Sequence, residues 1–122
     1  MLWVAEARNL HGEEKIVGAI VIWLIIDEAH IATIAVHPEY RRRGIAKELL
    51  KTAFTETIQK GFSVASLEVR ANNICAQNLY RLFGFEIVGR RLRYYLDNNE
   101  DALIMTISGL DLDYLDWMKN HI

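Results

Sequence analysis

The 122-residue chain is poor in cysteine and proline, with one of each, and it has no marked excess of charge of either sign. The single cysteine, Cys75, excludes an intrachain disulfide framework and is typical of proteins in a reducing cytoplasm. Sixteen acidic and fourteen basic residues leave a formal net charge of -2, so bulk charge does not indicate nucleic-acid binding. The four histidines lack the spacing of metal ligands, and we expect no metal.

Long hydrophobic runs are also scarce. The longest apolar run, residues 16–26, has about half the length of a membrane-spanning helix and is rich in the β-branched residues that favour strands. No basic stretch with a short apolar core stands at the start, as it would in a secretory signal. Because 52% of the residues are hydrophobic, the chain is predicted to form one globular domain in the cytoplasm, without a membrane segment.

Apolar periodicity predicts an α/β domain with the element order β-β-β-α-β-α-β-β. Strands are predicted at residues 2–7, 16–26, 29–36, 62–70, 85–88 and 102–107, and helices at 45–61 and from Asn72 or Asn73 to Gly84. Short loops make the three leading strands antiparallel, whereas the crossover through the first helix requires parallel strands on its two sides. The prediction is therefore a mixed β-sheet flanked by helices.

The segment between the third strand and the first helix is rich in arginine. It reads HPEYRRRGIAK over residues 37–47. Unpaired N–H groups at the start of a helix, together with the positive end of the helix dipole, favour an anion there. Gly44 lets the backbone approach an anion closely, and Arg41, Arg42 and Arg43 supply forked donors that suit phosphate. The pattern predicts a pyrophosphate cradle, although a basic turn before a helix also occurs as a solvated face.

This turn resembles the Q/R-x-x-G-x-G/A signature of the GNAT acetyltransferase superfamily, with Arg41, Gly44 and Ala46 at the signature positions. Ala46 stands where glycine is frequent. Further along, L-E-V-R-x-x-N, A-x-x-L-Y-x-x-x-G-F and E-D-A are similar to the branch that acetylates protein N-termini, the ribosomal-protein-alanine acetyltransferases and their archaeal relatives. The resemblance covers residues 16–107. It implies a GNAT-like mixed sheet flanked by helices, with acetyl-coenzyme A as the cosubstrate.

The resemblance also implies which residues hold the coenzyme. Backbone groups on the third strand would bind its pantetheine arm, and residues 42–47 would wrap its pyrophosphate. Asn73 and Tyr80 are similar to residues that contact the coenzyme, and Asn73 can cap its helix at the same time. The expected cofactor-binding residues are Ile34, Ala35, Val36, Arg41, Arg42, Arg43, Gly44, Ile45, Ala46, Lys47, Asn73 and Tyr80.

Transfer of an acetyl group to an α-amine needs a base, because an amine with a reference pKa of about 8 must lose a proton before it attacks the thioester. Glu68 is the candidate base. Period-two alternation places it on one strand face with Ser66 and Arg70, where an exposed glutamate paired with Arg70 or another basic side chain is the alternative. The resemblance implies that Glu68 is the proton acceptor.

Three tyrosines are further candidates. Tyr80 lies on the apolar stripe of its helix, where an aromatic residue is commonly part of the core, and the resemblance implies that it is the proton donor to coenzyme A. Tyr94 and Tyr95 would line the peptide entrance, although aromatic packing within a hairpin explains them equally well. Cys75 is expected to be an ordinary helix residue.

The resemblance implies a strand and two helices ahead of the first predicted strand, so we expect an N-terminally shortened acetyltransferase domain over residues 1–108. The apolar sheet face left uncovered would favour aggregation or dimerisation. Residues 109–122 form a C-terminal tail beyond the family pattern. Its apolar residues at near-helical spacing are Leu110, Tyr114, Trp117 and Met118. The tail either packs where a missing helix would lie, on its own subunit or in a homodimer, or it is held loosely in solvent.

Together these features predict a cytoplasmic, acetyl-coenzyme A-dependent N-acetyltransferase. Its acceptor would be the α-amine of a protein or peptide N-terminus, with direct transfer in which Glu68 is the base and Tyr80 is the acid. A small-molecule amine acetyltransferase on the same scaffold is one alternative. A non-catalytic acetyl-coenzyme A-binding or interaction module is the other. Neither nucleic acid nor a membrane is an expected partner.

Overall fold

The computed structural model describes residues 1–8 and 10–122, which form one mixed sheet with helices packed against it. The strands are β1 (Leu2–Arg8), β2 (Glu14–Ile25), β3 (Glu28–Val36), β4 (Val64–Arg70), β5 (Glu86–Tyr95) and β6 (Glu100–Ile107). The helices are α1 (Ile45–Gln59), α2 (Ile74–Phe83) and α3 (Leu112–His121), and a 3-10 turn covers Pro38–Tyr40. Among the described residues, no helix combines the length and apolarity needed to cross a bilayer.

Capping residues set the helix boundaries. α2 begins where the Asn73 side chain accepts a hydrogen bond from the backbone N–H of Ala76 at 3.2 Å, and it ends at Gly84 in the left-handed conformation. α3 begins in the same way, because the Asp111 side chain accepts from the backbone N–H of Tyr114 at 2.8 Å. The predicted cap at Asn73 is therefore confirmed.

The sheet has the strand order β1-β2-β3-β4-β6-β5, and every neighbouring pair is antiparallel except β3 with β4. The antiparallel leading strands and the parallel pair across α1 are as predicted. The parallel pairing joins residues 28–31 of β3 to residues 64–67 of β4 and then stops. Past that point β3 pairs with β2 and β4 pairs with β6. The two central strands therefore share a sheet at one end and border a gap at the other.

The core lies between the sheet and α1 and α2. Phe54 of α1 is fully buried, and its ring contacts those of Phe83, Phe85 and Tyr114. These contacts join α1, α2, the start of β5 and α3 around one side chain. Burial of a phenylalanine side chain is worth about 1.5–3 kcal/mol, so Phe54 is a major source of cohesion between these elements.

The C-terminal tail is part of this core, which contradicts the alternative of a loosely held tail. Leu115 and Met118 of α3 are buried, and the Tyr114 hydroxyl donates a 2.6 Å hydrogen bond to the Phe83 carbonyl oxygen. Lys51 of α1 also donates to the backbone carbonyl oxygen of Ile122 at 3.0 Å. The helix packs on its own chain, on the side of the sheet that carries α1 and α2.

The opposite face of the sheet is apolar at its β1–β2 end and remains largely open. Leu2 and Val4 of β1 and Trp23 and Ile25 of β2 are between 41% and 63% exposed. The register pairs Leu2 with Val21 on this face, so the apolar character continues across the two strands. The expectation of an open apolar face is met here in the described part of the chain.

The predicted end of the fifth strand at residue 88 is wrong. β5 continues to Tyr95 because its residues keep pairing with β6, through Arg90 with Leu103 and Tyr95 with Glu100. β5 is an edge strand, and most of its residues are exposed on both faces, so it lacks the alternation from which strands are predicted. The turn between β5 and β6 covers residues 96–99, and Tyr94 and Tyr95 lie within the strand.

Candidate active site

A cleft of about 370 Å³ lies where β3 and β4 stop pairing. Residues 31–34 of β3 and residues 67–70 of β4 form its two walls. Asn73, Ala76 and Tyr80, from the start and middle of α2, line it together with Tyr95 from the end of β5. We call this space the inter-strand cleft. It brings together Ile34, Glu68, Asn73, Tyr80 and Tyr95 from the predicted site, while Ala35 and Val36 follow next along β3.

The arginine turn connects β3 to α1, so the N-terminus of α1 lies next to the strand that borders the cleft. Gly44 is the N-cap residue with φ of 77°, and among the described residues no side chain caps this helix. The helix's own hydrogen bonding begins with the N–H of Glu48, which donates to the Gly44 carbonyl oxygen at 3.0 Å. The preceding N–H groups, of Ile45, Ala46 and Lys47, are therefore not used by the helix and suit an anion.

The backbone of the turn is held in an uncommon conformation. Arg42, like Gly44, has a positive φ, of 65°, which is costly for a residue with a side chain. Arg41 donates from Nε to the Val36 carbonyl oxygen at 3.4 Å, and the Arg43 guanidinium lies 4.9 Å from the Tyr40 ring centroid. These contacts tie the turn to the end of β3 while it keeps three positive charges in front of the helix.

Glu68 lies at the point where the parallel pairing ends, one residue past Leu67. Its side chain is 20% exposed and lines both the inter-strand cleft and a second hollow of about 400 Å³. We call the second space the outer hollow. It is lined by Ile25, Ile26, Asp27, Glu28, His30, Ser66, Glu68, Arg91, Ile104 and Thr106. Glu68 is thus a lining residue of both spaces.

Two basic side chains hold the Glu68 carboxylate. Oε2 lies 3.4 Å from Nε2 of His30, and Oε1 lies 3.7 Å from Nε of Arg91. The alternative predicted for this residue was a pair with Arg70 or another basic side chain. The pair with Arg70 is not formed, because the Arg70 guanidinium pairs with Asp97 and Glu100, whereas the pair with another basic side chain is present through Arg91 and His30. His30 and Arg91 were not predicted as site residues. Strand alternation places Ser66 and Glu68 on one face of β4, but only the register of β3 with β4 shows that His30 lies beside them.

Tyr80 is both a core residue and part of the cleft wall. It is 5% exposed, and its ring makes an edge contact with Phe85 at 5.8 Å between centroids. Burial raises the pKa of the Tyr80 hydroxyl to about 12, and the nearby Tyr95 adds to this shift. The phenol is therefore protonated at neutral pH and can donate a hydrogen bond into the cleft.

Tyr95 is fixed by a charged cluster that the sequence patterns did not reveal. The Arg70 guanidinium lies 4.0 Å from the Tyr95 ring centroid and makes two hydrogen bonds to Asp97, of 3.1 Å and 2.9 Å. The hydrogen bonds from Arg70 lower the pKa of the Asp97 carboxyl. Arg70 also pairs with Glu100 at 3.3 Å, so the β5–β6 turn is tied to the end of β4.

Two other predicted positions lie outside the centre of the cleft. Tyr94 is 46% exposed and makes an edge contact with Tyr95, with ring centroids 5.2 Å apart, while the Arg91 guanidinium lies 5.6 Å from its ring. Cys75 is an exposed residue in the first turn of α2. No group of three or more histidine, cysteine, aspartate or glutamate side chains is arranged to hold a metal ion in residues 1–8 and 10–122.

A sheet that opens between two parallel strands, beside an uncapped helix N-terminus, defines an α/β domain suited to a phosphate-bearing ligand. The family model described as the acetyltransferase (GNAT) family matches residues 2–85. The chain belongs to this family, and its six-stranded mixed sheet with flanking helices is the GNAT-like fold that the turn and the L-E-V-R motif predicted.

Relatives with assigned names lie in the N-terminal acetyltransferase branch. The ribosomal protein bS18-alanine N-acetyltransferase of Escherichia coli (strain K12) is 37% identical over 95 residues, which are 76% of this chain and 64% of the relative. The Salmonella typhimurium enzyme of the same name is 34% identical over 101 residues, 81% of this chain and 68% of the relative. The match to a Bacillus subtilis protein, 44% identical, spans 58% of that protein's length. The chain thus spans about three fifths of the first relatives.

Solved structures also align with this chain over most of its length. The crystal structure of the Escherichia coli ribosomal-protein-S18-alanine N-acetyltransferase aligns with a TM-score of 0.73 and 36% identity, over 78% of this chain and 63% of that one. The NatC complex bound to Gag peptide and CoA aligns with a TM-score of 0.78 and 30% identity, over 88% of this chain and 70% of that one.

Proposed function

We propose that this protein transfers the acetyl group of acetyl-coenzyme A to the α-amine of a protein or peptide N-terminus. The observation that carries the proposal is the position of Glu68, a residue that lines both the inter-strand cleft and the outer hollow. A base in this position reaches a donor that enters from one side and an acceptor that enters from the other. General base catalysis by a positioned carboxylate contributes about 10²–10⁴-fold to such a reaction.

The coenzyme fits the inter-strand cleft and the arginine turn. The edge of β3 beyond residue 31 is not paired with β4, so backbone groups at Ile34, Ala35 and Val36 suit the pantetheine arm. A Cβ atom placed on Gly44 would meet no heavy atom of the described residues within 4 Å, so the helix N-terminus faces open space. Residues 41–47 would hold the pyrophosphate there with backbone N–H groups and guanidinium donors.

Two lining residues of the cleft, Glu68 and Tyr80, supply the proton acceptor and the hydrogen-bond donor of the reaction. Glu68 accepts the proton of the attacking amine, directly or through one water, and the thioester carbon–sulfur bond breaks as the amide bond forms. Tyr80 lines the same cleft and would donate a hydrogen bond to the departing sulfur. Because its pKa is about 12, the phenol stays protonated and stabilises the thiolate mainly as a hydrogen-bond donor. Asn73 caps α2, and its place in the lining of the same cleft supports its second expected role, contact with the coenzyme.

Acceptor recognition rests on the aromatic end of β5 and on the likeness to named proteins. Tyr95 lines the inter-strand cleft and is held by Arg70, and Tyr94 lies beside it. We propose that these two rings border the entrance for the first residues of a peptide. The names of the Escherichia coli relative and of the peptide-bound NatC complex support a protein N-terminus as the acceptor.

The test is acetyl-coenzyme A turnover, measured as thiol release, on peptides that differ in their first residue. Each peptide is supplied with a free and with a blocked α-amine, beside a polyamine and an aminoglycoside. We expect turnover that needs a free peptide α-amine and is strongly reduced in Glu68→Gln. Coenzyme binding without turnover on any acceptor would contradict the proposal and favour a non-catalytic binding module.

A small-molecule amine is the second candidate acceptor. Its support is the composition of the outer hollow, in which Asp27 and Glu28 stand near the Glu68 carboxylate and would attract a cationic amine. Turnover on the polyamine or aminoglycoside that exceeds turnover on every peptide would favour this candidate over the first.

A further inference from the structure

Ser66, His30 and Glu68 form a row of contacting side chains across the parallel strand pair. The register of β3 with β4 places His30 opposite Ser66, and Glu68 is the next residue on the same face of β4. Ser66 Oγ lies 3.3 Å from His30 Nδ1, and His30 Nε2 lies 3.4 Å from Glu68 Oε2. The imidazole therefore bridges a hydroxyl and a carboxylate with its two ring nitrogens.

The chemistry of the imidazole decides how this bridge is protonated. A neutral imidazole has one N–H donor and one acceptor nitrogen, and a carboxylate can only accept. A hydrogen therefore has to lie on Nε2, which faces Glu68. Nδ1 is then the acceptor for the Ser66 hydroxyl, which can rotate to donate to it. The carboxylate thus favours the tautomer in which the ring points its N–H at Glu68, and the Ser66 hydroxyl is compatible with it.

The remaining charged groups near His30 fit this arrangement. Arg91 of β5 approaches the other oxygen of Glu68, at 3.7 Å, so the two oxygens are approached by donors from β3 and from β5. Asp27 and Glu28, at the β2–β3 turn, line the same outer hollow and add negative charge near the ring. The His30 side chain is 30% exposed, so its contribution to core packing is limited.

We propose that His30 is a positioning residue for Glu68. Its Nε2–H donates to the carboxylate of Glu68, the residue that lines both the inter-strand cleft and the outer hollow, and the Ser66 hydroxyl donates to Nδ1 in the same tautomer. The inference rests on the proposed function, in which Glu68 is the base. A glutamate side chain has several rotatable bonds, and holding it in one orientation reduces the conformational entropy that is lost when it reaches the geometry of proton transfer.

The experiment compares His30→Leu, His30→Gln, Glu68→Gln and the double variant His30→Leu/Glu68→Gln. We expect His30→Leu to lower kcat about 10- to 100-fold, the cost of a misplaced catalytic group, with the dissociation constant for coenzyme A unchanged. His30→Gln keeps an N–H donor at the end of a planar amide and should recover most of the loss. Ser66→Ala should lower kcat less than His30→Leu, and Ser66→Thr, which keeps the hydroxyl, should recover it.

The double variant separates positioning from an independent effect. If His30 acts through the carboxylate, His30→Leu/Glu68→Gln should be no slower than Glu68→Gln alone, because the carboxylate that His30 serves is already gone. His121→Leu is the matched control, since it removes an exposed imidazole on α3 whose recorded partner is the Trp117 carbonyl oxygen. That variant should turn over like the unaltered protein.

The outcomes distinguish this inference from the proposed function. Glu68→Gln with full turnover would contradict the proposed function itself. Glu68→Gln with strongly reduced turnover, beside a His30→Leu variant of normal kcat, would overturn the positioning role and leave the proposed function standing. Multiplying losses in the double variant, or a His30→Gln variant as slow as His30→Leu, would also overturn the positioning role.

Discussion

Arg70 covers the ring of Tyr95 at 4.0 Å and at the same time makes two hydrogen bonds to Asp97 in the β5–β6 turn. The guanidinium therefore connects the end of β4 to the turn and sets the position of an aromatic wall of the inter-strand cleft. Stacking and a paired carboxylate use different parts of the arginine, the π-face and the N–H edge, so the two interactions do not compete.

Replacing this arginine should affect acceptor or coenzyme binding more than folding. We expect Arg70→Met to raise KM, because Tyr95 loses the contact that fixes it, while ion pairs near the surface contribute little to the unfolding free energy. The measurement is steady-state kinetics with both substrates varied, beside urea unfolding. Arg90→Met is the matched control, since Arg90 makes a comparable 2.7 Å pair with Asp101 in the same hairpin. Equal kinetics in the two variants would contradict the role of Arg70.

The same cluster predicts a pH effect on stability. The hydrogen bonds from Arg70 lower the pKa of the Asp97 carboxyl. The ion pair therefore stabilises the fold above the ordinary pKa of an aspartate, and this stabilisation is lost as the pH falls through the lowered pKa of Asp97. Unfolding free energy should therefore fall on acidification, and this fall should be smaller in Arg70→Met. Urea unfolding at about pH 3 and about pH 6 measures the difference between the two proteins. An identical fall in both would contradict the assignment.

Tyr80 predicts a change in stability at the alkaline end. Burial raises its pKa from 10.0 to about 12, so its contribution is complete below the unfolded value and is lost as the pH rises through the folded one. The shift corresponds to about 3 kcal/mol of unfolding free energy lost between pH 10 and 12. Tyr80→Phe should reduce this loss without removing it, because burial raises the pKa of Tyr114 to about 12 as well. Unfolding curves across this range that coincide for the two proteins would contradict the prediction.

Gly44 provides a test of the phosphate cradle with a control in the same helix. Gly44→Ala places a side chain on a left-handed residue, at a cost of about 1–2 kcal/mol, and fills the space in front of the α1 N-terminus. We expect lower stability together with weaker coenzyme A binding, measured by urea unfolding and calorimetric titration. Gly61→Ala has the same conformational cost at the other end of α1, with φ of 90°. It should lose stability and keep its affinity; equal affinities in both variants would contradict the cradle.

The C-terminal helix is predicted to be essential for stability. Met118 is fully buried, and Met118→Ala should lower the unfolding free energy by about 2–5 kcal/mol, the usual cost of a cavity in a core. Trp117→Ala, at a neighbouring position that is 40% exposed, should cost clearly less although more atoms are removed. Denaturant unfolding of both variants provides the comparison. A larger loss for Trp117 would contradict the packing of α3 against α1.

Local signals in the sequence were sufficient for much of the fold. The arginine turn, the Asn73 cap and the short loops among the first strands predicted the antiparallel leading strands, the parallel crossover and the helix that starts behind Gly44. These features depend on residues that are close together in the chain. Glu68 and Tyr80 were singled out by the family resemblance and not by the topology, and both line the inter-strand cleft.

The rest depends on contacts between distant residues. The path of β5 to Tyr95 is set by pairing with β6 and not by alternation, so it could not be predicted from its own exposed residues. The contact of His30 with Glu68 requires the register of two strands that are more than thirty residues apart. The carboxylates that pair with Arg70 lie 27 to 30 residues later, in the β5–β6 turn and at the start of β6. The sequence spacing alone does not indicate that Arg70 pairs with them and not with Glu68.

The most direct test of the central claim is the rate of acetyl transfer to a free peptide α-amine by Glu68→Gln and by the unaltered protein, with coenzyme A affinity measured on the same samples. The substitution keeps the size of the side chain and removes the carboxylate of the residue that lines both the inter-strand cleft and the outer hollow. We predict a loss of about 10²–10⁴-fold in kcat with unchanged affinity for coenzyme A. Equal rates in the two proteins would show that the Glu68 carboxylate is not the base.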